Sequence, residues 1–198
     1  MHGAPRTPAP AGAGEPAPGL RFTAIDFETA DAGFDSACAL GMVRVEEGRV
    51  TGRRLFLIRP PRRHIVNTFI HGISWEDVRH MPTFGELWPA ISRELGGVDF
   101  VAAHNATFDR RVLASCCLAA GIEPPALPFL CTMQLARNLW NIRPTKLPDV
   151  CRHFGIPLTH HDAASDTEAC AHIMLHAARH PRFGFRQGPR TTTEATPR

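Results

Sequence analysis

The chain has 198 residues, of which 43% are hydrophobic and 21% are charged, and its formal net charge is +3. This composition supplies one well-buried core but not two, so we expect a single folded domain over residues 20–182. The small positive charge does not by itself indicate a nucleic-acid partner. No apolar run has the length of a signal-peptide core or a membrane span, which predicts a cytoplasmic protein without a membrane partner.

Both ends of the chain are predicted to be disordered. Residues 1–19 are mostly Pro, Ala and Gly, and such side chains do not offset the entropy lost on ordering. Residues 183–198 form a short polar tail for which we expect the same. The six cysteines include no CxxC pair, so we expect buried thiols in a reducing compartment rather than disulfides.

Strands are predicted first along the chain, over residues 20–27, 37–45 and 50–58. A tight turn at Glu46-Glu47-Gly48-Arg49 joins the second strand to the third, and three successive strands of this kind form an antiparallel meander. An apolar run at 98–103 predicts a buried strand, and another short strand or turn begins at Leu130.

Helices are predicted after the meander. Ser74 with Asp77 and Thr83 with Glu86 have the spacing of capping boxes, and the second pair begins a helix that ends near residue 95. Periodicity and stop residues indicate further helices over 107–120, 132–139, 147–154 and 165–179. This order predicts an α/β fold in which helices flank a mixed sheet, an antiparallel meander followed by parallel strands.

Asp26 and Glu28, in the segment AIDFETA, place two carboxylates in the first predicted strand. Residues i and i+2 of a strand point to the same face, so the two acids project together while their neighbours point the other way. Carboxylates this close repel by roughly 3 kcal/mol at an effective dielectric constant near 20. Such a pair persists when a cation neutralises it or when one member holds a proton.

Asp109 is a third acid at a place where sheet proteins often build a site. It lies in the first turn of the helix that follows the strand at 98–103, just after His104 and Asn105. Asn105 can hold loop backbone or a nearby carboxylate by hydrogen bonds. The alternative for Asp109 is an ordinary acid that interacts with the helix dipole.

Asp166 is the fourth acid, at the start of the last predicted helix and five residues after His161. A histidine can hold or release a proton near neutral pH, which suits a general base acting on water. The alternative is that His160 and His161 are solvated loop residues. Asp162 can be a spare ligand, although an exposed loop acid is the more ordinary interpretation.

Carboxylates that converge at strand and helix ends form an all-oxygen site. Such a site selects hard cations, here Mg²⁺ or Mn²⁺, and no Cys or His spacing in the chain suits zinc. Two such ions about 4 Å apart can clamp the attacking and leaving oxygens of an in-line phosphoryl displacement. Phosphodiester hydrolysis is therefore the predicted chemistry.

Three segments, DFET, HNATFD and HDAASD, resemble the three motifs of the DEDDh exonucleases in order and approximate spacing. This DnaQ-like family includes the proofreading epsilon subunit of bacterial DNA polymerase III, and the resemblance covers residues 21–178. It implies a ribonuclease-H-like fold, His161 as general base, and release of nucleoside 5′-monophosphates from a 3′ end. It also implies two divalent ions bound by Asp26, Glu28, Asp109 and Asp166.

Further residues are weaker candidates for contact with the substrate. The resemblance places Thr29 and His71 beside the terminal nucleotide, and Lys146 resembles a basic residue before the family's third motif. Phe108 can pack against a base or into the core, and Lys146 can equally be a solvated residue at a helix start. The whole set comprises Phe27, Thr29, His71, Asn105, Phe108 and Lys146.

The chain departs from the family pattern after the first two acids. Many members have Thr-Gly where this chain has Ala30-Asp31, and the Asp31 charge is expected to weaken the approach of phosphate. Only a short polar tail follows the final helix, which disfavours a dedicated replicative proofreading subunit.

The leading hypothesis is a stand-alone 3′-5′ exonuclease that acts on the 3′ end of single-stranded DNA. The alternatives are an exoribonuclease or oligoribonuclease of the same class and, from a different class, a catalytically silent nucleic-acid-binding module. DNA is favoured over RNA as the partner, and the sequence indicates no particular protein partner.

Overall fold

A five-stranded mixed sheet forms the centre of the computed structural model, which describes residues 19–185. The predictions for residues 1–18 and 186–198 lie outside the described residues. The order of strands across the sheet is β3-β2-β1-β4-β5. Their bounds are Arg21–Thr29 for β1, Ala37–Glu46 for β2, Arg49–Leu57 for β3, Phe100–Ala103 for β4 and Phe129–Cys131 for β5.

The central strand β1 joins the two halves of the sheet. It pairs antiparallel with β2, which pairs antiparallel with β3, and on its other side it pairs parallel with β4. β5 then adds to β4 in parallel. The predicted fold, an antiparallel meander followed by parallel strands, is therefore confirmed.

Seven helices are present in the described part of the chain. Both predicted capping boxes are confirmed, Ser74 with Asp77 before α2 and Thr83 with Glu86 before α3. The short helix α1 was not expected from the sequence. Their bounds are Thr68–His71 for α1, Trp75–Val78 for α2, Phe84–Leu95 for α3, Ala106–Ala119 for α4, Thr132–Trp140 for α5, Leu147–Phe154 for α6 and Ala163–Ala178 for α7.

The starts of α5 and α7 compare differently with the sequence prediction. α5 begins at Thr132 as predicted, with Cys131 at its N-cap, whereas α7 begins at Ala163, two residues before its predicted start. Asp162 is the N-cap of α7, where its Oδ1 accepts a hydrogen bond from the Ser165 N–H at 2.8 Å. Asp162 is thus an exposed acid outside the helix, as the sequence indicated, and its carboxylate also caps the first turn of α7.

Alternate residues of β1 face two different core clusters. Ile25 and Phe27 pack with α3 and α4 on one face of the sheet, whereas Phe22 and Ala24 pack with α7 on the other. This alternation follows from the pleat of the strand. Asp26 therefore continues the face that α7 covers, beyond the last apolar residue of that face.

The six cysteines are free thiols, and five of them are buried. Burial raises the pKa of Cys38 and Cys117 to about 12, so these thiols stay protonated at neutral pH. The prediction of buried thiols is confirmed, with Cys131 only half-buried.

Residues 183–185, the first part of the predicted tail, lie within the described part of the chain. Phe183 and Phe185 pack against the core cluster that α7 covers, and the Phe185 ring centroid is 4.7 Å from that of Phe100.

None of the helices described has both the length and the apolar character that a membrane span requires.

Candidate active site

Gly41 permits the close approach of α7 that brings Asp166 to the strand acids. It lies opposite Asp26 in the register of β1 and β2. A Cβ atom at this position would overlap the Ala163 carbonyl oxygen and Thr167 Oγ1. Only the lack of a side chain at Gly41 therefore lets the first turn of α7 lie on the sheet beside Asp26.

The structure brings the four predicted carboxylates to one end of the sheet. Asp26, Glu28 and Asp166 each offer an oxygen, and these oxygens lie within 4.8 Å of one another. Asp109 lies just behind them in the first turn of α4, with only 1% of its surface exposed. Its Oδ1 accepts a hydrogen bond from the Phe27 N–H at 3.1 Å, so the backbone of β1 holds this acid in place.

The carboxylates resist simultaneous ionisation. Burial, followed by the charge of Asp109, raises the pKa of Asp26 well above its usual range. Burial, followed by the charge of Asp166, raises the pKa of Glu28 to about 7. Burial raises the pKa of Asp109 to about 7 against the opposing hydrogen bond from the Phe27 N–H. Because the acids repel one another, this site favours a bound cation whose positive charge offsets theirs.

Asp166 has a buried carboxylate oxygen that no group in the described part of the protein satisfies. Burial raises its pKa, while a hydrogen bond from the His161 N–H opposes the rise. That hydrogen bond, at 3.1 Å, ends on Oδ2, whereas Oδ1 is buried without a hydrogen-bond partner. A buried acceptor of this kind is costly unless a ligand satisfies it, and the oxygen donors around it fit a hard divalent cation.

The two histidines before α7 stand at the rim of this cluster. His161 is exposed and has a positive φ of 67°, a conformation that turns its backbone N–H toward Asp166. The His160 Nδ1 lies 3.1 Å from Asp166 Oδ2, and the two imidazole rings stack with centroids 3.8 Å apart. Sequence reasoning chose His161 and overlooked the contact of His160 with Asp166.

A cleft of about 680 Å³ opens over the carboxylates. Three basic side chains share its lining with the acids, and of these the sequence had singled out only Lys146. Asn105 and Phe27 also border the cleft, although Phe27 is only 4% exposed. The lining comprises Asp26, Phe27, Glu28, His104, Asn105, Met133, Arg137, Arg143, Pro144, Thr145, Lys146, Leu147, His160, His161 and Asp166.

His104 connects the end of β4 to the loop that carries Lys146. It follows β4, and its Nε2 lies 3.0 Å from the Thr145 carbonyl oxygen while its Nδ1 lies 2.9 Å from Thr132 Oγ1. The Arg137 Nε donates to Thr145 Oγ1 at 2.8 Å. The loop before α6, which carries Lys146, is thereby fixed relative to β4.

The structure places the other weak candidates outside the cleft lining. The Phe108 ring packs edge-on against Phe34 at 6.0 Å, as a residue partly buried against the core. Thr29 is 8% exposed, and its carbonyl oxygen lies 3.2 Å from the His71 Nε2. The His71 Nδ1 accepts from the Ile73 N–H at 3.1 Å, so both ring nitrogens already have partners in the protein.

Asp31, the departure from the family pattern, has a cationic partner. The Arg62 Nε donates to Asp31 Oδ2 at 2.6 Å, and the same guanidinium donates to Asp35 Oδ1 and Oδ2 at 2.6 and 2.9 Å. The hydrogen bond from Arg62 lowers the pKa of Asp31 to about 2. The one guanidinium therefore offsets part of the negative charge of the two carboxylates, and the weaker approach of phosphate near Asp31 stays a prediction.

Comparison with known proteins agrees with this geometry. Residues 23–174 match the RNase_T family, described as exonuclease. The chain is 30% identical over 161 residues to the PolC-type DNA polymerase III of Bacillus subtilis and 29% identical over 160 residues to that of Thermotoga maritima. These matches cover 78% of this chain but only 11% and 12% of the relatives, so the chain spans a small part of their length.

Solved structures of similar fold include two nucleases. Exonuclease X in complex with 5′ overhanging duplex DNA is 25% identical, with a TM-score of 0.64 over 79% of this chain and 90% of that one. The nuclease domain of 3′hExo, a DEDDh family member bound to rAMP, is 14% identical, with a TM-score of 0.68 over 81% and 92% of the two chains. The chain belongs to the RNase_T exonuclease family and, within it, to the DnaQ-like 3′-5′ exonucleases of the DEDDh type.

Proposed function

We propose that this protein hydrolyses the last phosphodiester bond at the 3′ end of single-stranded DNA and releases nucleoside 5′-monophosphates. The observation that carries the proposal is the cluster of Asp26, Glu28 and Asp166 oxygens within 4.8 Å, backed by buried Asp109. The cluster lies in a cleft of about 680 Å³ that is also lined by basic side chains. The 3′ polarity rests on the family.

Two divalent ions, Mg²⁺ or Mn²⁺, are proposed as cofactors held by Asp26, Glu28, Asp109 and Asp166. The donor set contains only oxygens, and the unpartnered Asp166 Oδ1 is a buried acceptor within it. When bound, such ions lower the pKa of water and stabilise negative charge on a leaving oxygen. The carboxylates orient the ions, and their own mutual repulsion is relieved in return.

His161 is proposed as the general base. It is exposed at the rim of the cleft, where its ring can reach solvent, and the hydrogen bond from its backbone N–H to Asp166 Oδ2 fixes its position at 3.1 Å. Its ring accepts a proton as water attacks the scissile phosphate and then returns it to solvent. The stacked ring of His160 limits the orientations that the His161 ring can adopt.

Arg137, Arg143 and Lys146 are proposed to bind the phosphates of the strand that enters the cleft. All three line it, and their charges are opposite to those of the backbone they would contact. Thr29 is proposed to lie beside the terminal nucleotide, and the contacts of the Asn67 Nδ2 and the His71 ring with its carbonyl oxygen hold it there.

DNA is proposed as the substrate in preference to RNA, and two comparisons support this choice. The relatives are DNA polymerases, and the solved structure at 25% identity holds duplex DNA with a 5′ overhang. Discrimination against RNA requires contacts to the 2′-hydroxyl.

The test incubates the protein with single-stranded DNA and RNA of equal sequence, labelled in turn at each end, in Mg²⁺, Mn²⁺ or EDTA. We expect stepwise shortening from the 3′ end of DNA in either metal, mononucleotide products, and none in EDTA. Asp26→Asn is the inactive control and Glu123→Gln, an exposed acid outside the cleft, is the active one. Binding without hydrolysis in every metal would support the silent module instead, and faster loss of RNA would support the exoribonuclease.

A further inference from the structure

A second group of metal-ligating side chains overlaps the carboxylate cluster. His160, His161 and Asp166 each offer one ligand atom, and these atoms lie within 4.8 Å of one another. The histidines are exposed, whereas Asp166 is 5% exposed. Two imidazoles and one carboxylate are a different donor set from the oxygens of Asp26 and Glu28.

The spacing within this group suits a shared ion. The His160 Nδ1 and Asp166 Oδ2 are 3.1 Å apart, whereas two ligands of one tetrahedral Zn²⁺ lie about 3.3 Å apart for bonds near 2.0 Å. Asp166 Oδ1, buried and unpartnered, is a further acceptor on the same side chain. The two rings stack with an interplanar angle of 21°, so at least one of these exposed rings must turn out of the stack before both nitrogens can face one ion.

The donor set also determines which cation binds. Imidazole nitrogen suits Zn²⁺ and similar transition ions, whereas Mg²⁺ prefers oxygen. Sequence spacing gave no indication of this site, because adjacent histidines on a regular element point apart. The positive φ of His161 breaks that regularity and stacks the two rings.

We propose that His160, His161 and Asp166 form a binding site for Zn²⁺ and that zinc bound there inhibits the nuclease. The inhibitory part rests on the proposed function, because zinc would occupy the ring nitrogen of the general base and one of the carboxylates. His160 supplies the ligand that makes zinc binding selective at this place. Magnesium at millimolar concentration does not displace zinc from two imidazoles.

The binding test uses the full chain, stripped of metal and then kept in millimolar Mg²⁺. Zn²⁺ is titrated against a chromophoric chelator with the unsubstituted protein, His160→Gln and, as a matched control, the exposed His80→Gln. We expect zinc affinity to fall at least about 10-fold in His160→Gln, because loss of a ligand should cost no less than loss of a residue that only supports one, and to stay unchanged in His80→Gln. Equal affinities in all three proteins would overturn the site, and matching circular dichroism spectra exclude misfolding.

The activity test titrates Zn²⁺ into the exonuclease assay, with each protein normalised to its own rate without zinc. We expect His160→Gln to need about 10-fold more zinc for half-inhibition than the unsubstituted protein. Equal sensitivity would overturn the inhibitory role. If no protein hydrolyses DNA in Mg²⁺ alone, the proposed function fails while the chelator titration still decides the zinc site.

Discussion

Replacing Glu28 by glutamine is expected to stabilise the metal-free protein at neutral pH. The side chain is half-buried on β1, and burial, followed by the charges of Asp166 and Asp109, raises its pKa from 4.5 to about 7. Glutamine has nearly the shape of a protonated glutamate but does not ionise. The substitution therefore removes the unfavourable charge and leaves the packing unchanged.

The sign of the effect follows from the direction of the pKa shift. Because the folded protein binds the Glu28 proton more tightly than the unfolded chain does, the penalty is nearly absent below pH 4.5, grows as pH rises, and is complete above about pH 7. The full shift corresponds to about 3 kcal/mol. Solvent screening of a half-exposed group reduces this to about 1 to 2 kcal/mol.

Thermal unfolding in EDTA at pH 4.5 and pH 8 measures this difference. At pH 8 the Tm of Glu28→Gln should exceed that of the unsubstituted protein by about 4 °C, since each kcal/mol shifts the Tm of a chain this size by about 2–4 °C. At pH 4.5 the two should differ little. Adding Mg²⁺ at pH 8 should raise the Tm of the unsubstituted protein more than it raises the Tm of Glu28→Gln.

The matched control is Glu123→Gln, which removes an exposed acid and should leave the Tm unchanged at both pH values. An equal or lower Tm for Glu28→Gln at pH 8 in EDTA would refute the electrostatic reasoning. So would an equal gain at both pH values, because that gain would come from packing rather than charge.

Four further substitutions test separate parts of the site. Asp26→Asn should abolish hydrolysis of labelled oligonucleotide with an unchanged circular dichroism spectrum. His161→Ala should lower kcat by about 10² to 10⁴-fold, the usual contribution of a positioned base. Arg62→Gln should raise KM more than it lowers kcat in initial-rate measurements, because Asp31 would then repel the incoming phosphates without its partner. Gly41→Ala should cost about 1 to 3 kcal/mol in denaturant unfolding and lower activity, because its Cβ overlaps the Ala163 carbonyl oxygen and displaces α7.

Each of these expectations has a contrary outcome. Hydrolysis by Asp26→Asn would remove the basis for a cation site on β1, and an unchanged rate in His161→Ala would make that residue a solvated loop histidine. A loss confined to kcat in Arg62→Gln would place Arg62 in the chemistry rather than in the approach of substrate. Full stability in Gly41→Ala would mean that α7 shifts on the sheet without cost.

The strand-end and helix-start positions of the acids could be predicted because they depend on local periodicity. The two-residue repeat of β1 fixes the common face of Asp26 and Glu28, and the first turns of α4 and α7 fix Asp109 and Asp166. Since parallel strands and the helices after them meet at one edge, Asp109 was expected beside the acids of β1. α7 follows α6 rather than a strand, so the place of Asp166 was indicated by the motif resemblance instead.

Contacts between distant or irregular segments could not be predicted in this way. Arg62 is 31 residues from Asp31, and no local pattern marks it as the partner. The capping role of Asp162 was not predicted, because a cap depends on the backbone angles of one residue. The role of His160 depends likewise on the positive φ of His161, which a run of two histidines does not reveal.

Phe27 connects the hydrophobic core to the acids of the site. In sequence it lies between Asp26 and Glu28, its ring packs in the core, and its backbone N–H donates to the Asp109 carboxylate at 3.1 Å. This backbone contact sets the position of Asp26 and Glu28 relative to α4. Burial raises the pKa of Asp109 to about 7, and a buried ionisable group lowers stability where an apolar side chain would fill the same space. The stability of the sheet does not explain a carboxylate here, whereas the proposed cation site beside the cleft gives it a role.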